Sequence, residues 1–441
     1  MTPWAGRRLH FVGIGGAGMS GLALVARVLG ADVSGSDRAD SPYCAPLRAA
    51  GIEPIVGHDA ANVPAGAEVI VSTAIAADNP EVAAAATVLH RGDLLAEVSR
   101  LKPCIAVGGT HGKTTTSSMA AHVLIETGRE PSYLIGGELR TTGLNAEWRG
   151  GEWLVVEADE SDRSFLKLSP TVAVVTNTEL DHHSTYRSEL EIRRAYSEFA
   201  ALGDRAIAWR EAELEVDALT FDVDGGDMAA TGVVLSEAGS SFRVDGVECT
   251  LRAPGRHNVL NALAALAACR EAGVEPAEAA PALATFPGAG RRFDLRGRSA
   301  AGAAVYDDYA HHPTEVRATL EAARTLGPQR VIACFQPHLF SRTRALARDF
   351  GRALALADVV CVLDIYPARE RPEDFPGVTG WLVAAATADA ALGRPVYWTP
   401  GMDDAERLLA SELHDGDLLL TLGAGDVDGL AGRLVQAEAA A

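Results

Sequence analysis

Cys104-Ile105-Ala106-Val107-Gly108-Gly109-Thr110-His111-Gly112-Lys113-Thr114-Thr115-Thr116 is the stretch from which this chain can be read. Ile105–Val107 is an apolar run short enough to be a buried parallel strand. The glycines that follow make a tight turn, and a helical pattern then runs from about Lys113 to Thr127 before Gly128 closes it. Strand, glycine turn and helix in that order form an anion site. Glycines expose backbone amides at a helix N-terminus, where the dipole favours negative charge. Lys113 is placed to meet outer phosphates, and the Thr114 hydroxyl suits a hard cation such as Mg²⁺. The standard phosphate loop has a glycine five positions before Gly112, where this chain has Val107, so the loop is a shortened form.

Upstream, a second glycine loop stands between a strand at Leu9–Val12 and a helix at Ala17–Leu29. Gly13-Ile14-Gly15-Gly16-Ala17-Gly18 matches the dinucleotide fingerprint, with Asp37 about twenty residues on. The spacing specifies a pyrophosphate better than it specifies a nicotinamide. Downstream, the run Trp153–Val156 leads into Glu157-Ala158-Asp159-Glu160-Ser161-Asp162. Glu157 continues the strand and sits where a carboxylate can meet a metal ion. A second apolar run, Val172–Thr176, leads into Asn177-Thr178-Glu179-Leu180-Asp181-His182-His183. An imidazole at a strand end is a candidate metal ligand or phosphate donor. Read as extended chain, neighbouring side chains face opposite ways, so the two histidines should not be equivalent.

The remaining third repeats the α/β grammar, with strands at Val331–Phe335, Val359–Leu363 and Leu418–Thr421. Two polar clusters follow strands there: Tyr306-Asp307-Asp308-Tyr309-Ala310-His311-His312 and Phe335-Gln336-Pro337-His338-Leu339-Phe340-Ser341-Arg342. Breaks at Lys102-Pro103 and at Pro287-Gly288 with Arg291-Arg292 divide the 441 residues into 1–102, 103–292 and 293–441. The expected fold is therefore three consecutive α/β domains: Rossmann-like, P-loop type, and Rossmann-like again. A net charge of −20 argues against nucleic acid as a partner. The six cysteines are scattered without ligand spacing, as expected for a reducing compartment. With no export signal and no long apolar run, a cytoplasmic protein with no membrane span is expected.

In order along the chain, GIGGAGMS, GGTHGKTTT, EADESDRSF, DHHSTY, GRHNVLNA, FPGAGRRFD, DDYAHHPTEV, FQPHLFSRT and GAGDV resemble the motifs of the Mur ligase family of peptidoglycan synthesis. The shortened phosphate loop is the form this family uses. The resemblance implies an ATP- and Mg²⁺-dependent ligase that joins L-alanine to the carboxylate of UDP-N-acetylmuramate, acting as a monomer or weak homodimer. It implies that Gly15, Gly16, Gly18 and Met19, with Ser36 and Asp37, cradle the UDP-sugar. Gly109, Thr110, His111, Gly112, Lys113, Thr114 and Thr115 would hold ATP, together with His257, Asn258 and Asn261 and with Arg292, Asp308 and Tyr309. Thr114, Glu157 and His182 would be the metal ligands. Lys113, His182, His338 and Arg342 would serve the reaction, the last two around the amino acid and acyl phosphate.

Two positions depart from the family pattern. Leu339 follows the histidine of FQPH where relatives often carry a basic residue, and His183 replaces a residue that is usually apolar. Family position favours His182 over His183 as ligand. Three other readings compete. A ligase that recycles a preformed peptide onto the same sugar nucleotide fits less well with GIGGAGMS. An NAD-dependent oxidoreductase leaves GTHGKT unexplained, and a non-catalytic nucleotide-binding regulator has no use for Glu157, His182 and Arg342 together.

Overall fold

The computed structural model describes residues 3–182 and 185–435. His183 lies outside the described residues. Three sheets organise the described residues. The first has five strands in the order Ile55–Val56, Asp32–Asp37, Arg8–Val12, Glu68–Val71, Thr87–His90, paired in parallel. The helix Ala17–Val28 returns from the first strand, and Gly30 beyond its end has φ +99°, a conformation suited to glycine.

The second sheet has ten strands. At its centre, Cys104–Gly108 is fully buried and pairs in parallel with Leu154–Glu157 on one side and Val172–Val175 on the other. The register aligns Val107 with Glu157 and Gly108 with Val175. The ends of three neighbouring strands therefore open at one level: a glycine loop, an acidic loop and the loop that reaches His182. Continuous apolar strands of this kind are what a sheet covered on both faces requires.

The third sheet has six strands, and five of them are parallel: Ala304–Asp308, Leu418–Leu422, Val331–Phe335, Val359–Val362 and Val396–Trp398. The sixth, Asp294–Arg298, runs antiparallel at the edge. All six cysteines are buried and outside any disulfide. No helix among the described residues is long and apolar enough to cross a membrane. By packing, the chain parts into two compact units. The first comprises 1–232, 242–249 and 260–287, and the second 233–241, 250–259 and 288–441.

Candidate active site

In the first unit, the loop after Cys104–Gly108 is built so that only glycine fits. Gly109 has φ +127°, and a Cβ there would lie 2.0 Å from Thr176 Oγ1. Gly112 has φ +81°, and a Cβ there would lie 2.3 Å from Asn261 Oδ1. The loop is stapled by the neighbouring strand end. The His111 amide donates to Asn177 Oδ1 (3.0 Å), Asn177 Nδ2 donates back to the His111 carbonyl (2.9 Å), and Thr110 Oγ1 donates to the Glu179 carbonyl (2.7 Å). Asn261, on the helix Arg256–Glu271, accepts from Thr116 Oγ1 at 3.3 Å. The helix Lys113–Glu126 starts at Gly112 with no side-chain cap, which leaves its N-terminal dipole to an incoming anion.

Lys113 folds back over this loop. Its ammonium donates to the carbonyls of Gly109 (2.7 Å) and Thr110 (3.2 Å) and lies 2.8 and 3.1 Å from the two carboxylate oxygens of Glu160. Burial works against its charge, but Glu160, Glu157 and Asp159 outweigh it and hold Lys113 above the usual lysine range. Glu160 is fully buried. Its other neighbour is His182, whose Nε2 lies 3.2 Å from Oε1. Lys113, Glu160 and His182 thus form one cluster, with Thr114 buried at the start of the same helix.

The expectation of extended chain at Asp181-His182 does not hold. His182 has φ 52°, and its carbonyl accepts from the amides of Thr185 (2.7 Å) and Tyr186 (3.0 Å). The chain turns at His182, and that turn aims the imidazole at Glu160. Alternation along a strand therefore does not separate the two histidines.

The glycine loop after Arg8–Val12 differs in detail. Gly13 has φ +79°, and its amide, like that of Ile14, donates to the Ser36 carbonyl. Asp37 Oδ2 accepts from the Gly15 amide at 2.9 Å. Ser36 is fully buried and donates to Glu81 Oε2 at 2.5 Å. A cavity of about 290 Å³ opens beside the loop, lined by Gly16, Gly18, Met19, Arg91, Asn145, Glu157 and Asp159 among others. Gly15, Ser36 and Asp37 are not part of that lining, and Ser36 and Asp37 hydrogen-bond to the loop's amides.

Two lining residues carry no mark in the sequence. Arg91 begins the helix Arg91–Ser99 and pairs with Asp159, and a Cβ on Gly18 would come 3.3 Å from its Nη1. Burial opposes the charge of both partners. Even so, Asp159 and Asp162 hold Arg91 above its usual range, while Arg91 and Lys113 hold Asp159 well below the carboxylate range. Asn145 donates to the Ala17 carbonyl at 2.6 Å. Glu157, at the other end of the lining, accepts from the Gly136 amide at 2.8 Å.

In the second unit, Arg291 and Arg292 both approach Tyr309, with guanidinium carbons 5.1 and 5.2 Å from the ring centre. Burial pushes the Asp308 carboxyl up to about 6 despite Arg292, and its oxygens accept from the amides of Phe293 and Ala310, both at 2.8 Å. His338 and Arg342 come together at 3.4 Å. His311 stands edge-on to the His338 ring at 6.1 Å, and Tyr366 stacks on it at 5.9 Å. Leu339 adopts φ 68° and its amide donates to the Tyr366 carbonyl at 3.0 Å. The position where relatives often carry a basic residue is thus a buried leucine in a strained backbone. His257 is held down at about 4 by burial, and Asn258 donates to the Pro254 carbonyl at 2.8 Å.

Three family models match the chain in succession. The Mur ligase catalytic domain covers residues 8–102, the Mur ligase middle domain 107–269, and the Mur ligase glutamate ligase domain 291–425. The chain belongs to the Mur ligase family. It is 47% identical to the UDP-N-acetylmuramate–L-alanine ligase of Streptomyces coelicolor, with 98% of both chains covered. It is 44% identical to the ligase of the same name from Paenarthrobacter aurescens, covering 98% of this chain and 97% of that one. Among solved structures it resembles the UDP-N-acetylmuramate-alanine ligase MurC of Thermotoga maritima, with a TM-score of 0.84 at 31% identity, covering 97% of this chain and 98% of the other. The glycine loop after Cys104–Gly108, its two neighbouring strand-end loops and the glycine loop after Arg8–Val12 all lie in the first compact unit. Glu160, Arg91 and Tyr366 are the neighbours that local pattern did not single out.

Proposed function

We propose that this chain joins L-alanine to the carboxylate of UDP-N-acetylmuramate at the expense of ATP, the step that starts the peptide of the peptidoglycan precursor. The observation that carries this reading is the meeting of Lys113, Glu160 and His182 beside a glycine loop whose helix N-terminus has no side-chain cap. Such a site suits phosphoryl transfer, where catalysis is mostly positioning and charge stabilisation.

ATP places its outer phosphates on the amides of the Gly109–Thr114 loop. The UDP-sugar lies in the cavity along Gly16, Gly18 and Met19, with Arg91 as its cation. The sugar's carboxylate attacks the γ-phosphorus in line, and ADP leaves. Lys113 spreads the charge that develops on the transferring group. The neutral amine of L-alanine then attacks the acyl phosphate, and the tetrahedral intermediate collapses to the amide with release of phosphate. Arg342 and His338 orient the amino acid, and Asn261 holds the loop. Asp308, Tyr309, Arg292, His257 and Asn258 serve the nucleotide.

Thr114 and Glu157 offer oxygen donors of the kind Mg²⁺ prefers and His182 adds an imidazole nitrogen, and these residues would hold the ion. Bound there, Mg²⁺ would neutralise charge on the phosphates. The chain is expected to work in the cytoplasm as a monomer or weak homodimer.

An ADP-release assay tests the reading. Release should require both UDP-N-acetylmuramate and an amino acid, with L-alanine preferred over glycine by about 1–3 kcal/mol, the worth of one methyl group in a pocket. Turnover without the sugar nucleotide would refute it. A preference for a tripeptide over L-alanine would turn it into the recycling reaction.

A further inference from the structure

Lys113 has three protons to donate, and its neighbours account for all of them: the Gly109 carbonyl, the Thr110 carbonyl and the Glu160 carboxylate. A phosphate that engages this ammonium must therefore take the place of one of the three. The two carbonyls are neutral and fixed in the loop backbone. Glu160 is charged, fully buried, and 2.8 Å away at its nearer oxygen. It is also firmly anchored, since its own carbonyl accepts from the Tyr186 hydroxyl at 2.8 Å and from the Arg163 amide at 3.0 Å. It keeps a second partner in His182 at 3.2 Å, so it can release Lys113 without being stranded.

We propose that Glu160 competes with the nucleotide's phosphates for Lys113, acting as an internal counter-ion that weakens ATP binding while positioning Lys113 and His182 for the reaction. This rests on the reading that the Gly109–Thr114 loop takes the phosphates of ATP. It gives Glu160 a role as a positioning residue, and Glu157 remains the candidate metal ligand. The energetic sense is simple. A buried carboxylate beside an incoming triphosphate repels it, and the same carboxylate holds the ammonium that should greet it.

The test is calorimetric titration of ATP in EDTA on the full chain, alongside turnover. Glu160→Gln is expected to bind metal-free ATP about tenfold more tightly, the scale of one hydrogen bond to a charged group. Its kcat should fall. A residue with a merely structural role would lose affinity and turnover together, so the opposite movement of the two is diagnostic. UDP-N-acetylmuramate affinity should stay within a few-fold and reports that the variant is folded. Glu160→Asp, which draws the charge back by one methylene, should tighten ATP by less; it serves the same purpose if the glutamine variant does not fold. Unchanged or weaker ATP binding in the folded variants overturns the role of Glu160. Absence of ATP binding in the unaltered chain would instead overturn the phosphate-site reading.

Discussion

The chain contains the same local device twice, and the two copies differ in how it is furnished. After Arg8–Val12 and after Cys104–Gly108, a buried strand passes through glycines with positive φ into a helix that has no side-chain cap. In the first copy the neighbouring strand supplies Asp37, which ties down the Gly15 amide, and the cation beside the loop comes from elsewhere, as Arg91. In the second the helix itself begins with Lys113, and the neighbouring strand end grips the loop through Thr176, Asn177 and Glu179. In the proposed reading the backbone makes each an anion site. The side chains decide whether the anion is only held or is made to react.

The largest expected effect lies in the second loop. Gly109→Ala forces a Cβ onto Thr176 at a φ that alanine avoids. Turnover should fall by more than about a hundredfold, as expected when a reacting group is displaced by about 1 Å, with UDP-sugar affinity preserved; loss of both in a folded variant would break the contrast. His182→Ala should lower kcat by about ten- to a hundredfold and raise the Mg²⁺ requirement, whereas His183→Met should leave both within a few-fold. Mg²⁺ titrations of the two variants check this, and equal damage, or greater damage at His183, would refute the assignment.

His257 offers a pH test in the second unit. Burial holds it at about 4, below the ordinary 6.5, so its stabilising contribution is present above pH 6.5 and is lost as pH falls through about 4. Urea unfolding at pH 7.5 and 4.5 should show the unaltered chain losing roughly 2 kcal/mol more than His257→Gln. His257 itself should add no pH dependence to ATP affinity from pH 6.5 to 8, because its imidazole is neutral throughout. The smallest effect is expected at the first loop. Gly18→Ala meets only the end of the Arg91 side chain at 3.3 Å, so UDP-sugar affinity should weaken by no more than a few-fold. A collapse comparable to Gly109→Ala would mean that the two loops are equally unforgiving.

Much of this contrast is legible in the sequence because glycine spacing, apolar runs and the polar residues that follow them are local signals. Those signals located both loops, the central position of Glu157 at a strand end, and the two polar clusters of the last third. What they could not give is pairing between distant residues. Arg91 and Asp159 are 68 positions apart, and Lys113 and Glu160 are 47 apart, so nothing in either neighbourhood marks one for the other. Arg91 stands at a helix start, where an arginine ordinarily reads as a solvated charge. Glu160 reads as one of four acids in a loop until its burial is known. A strand precedes His182, so local pattern continues it as extended chain, whereas the turn at φ 52° comes with the contacts of Thr185 and Tyr186 to its carbonyl. Tyr366 depends on a bridge between His338 and a loop that has no periodic pattern of its own.

If the two glycine loops serve different anions, the chain must hold two nucleotides at once. Calorimetric titration of UDP-N-acetylmuramate into the chain saturated with a non-hydrolysable ATP analogue measures this directly. One UDP-sugar should bind per chain with affinity within a few-fold of that for the chain alone, and the reverse titration should agree. Mutual exclusion of the two nucleotides would contradict the account.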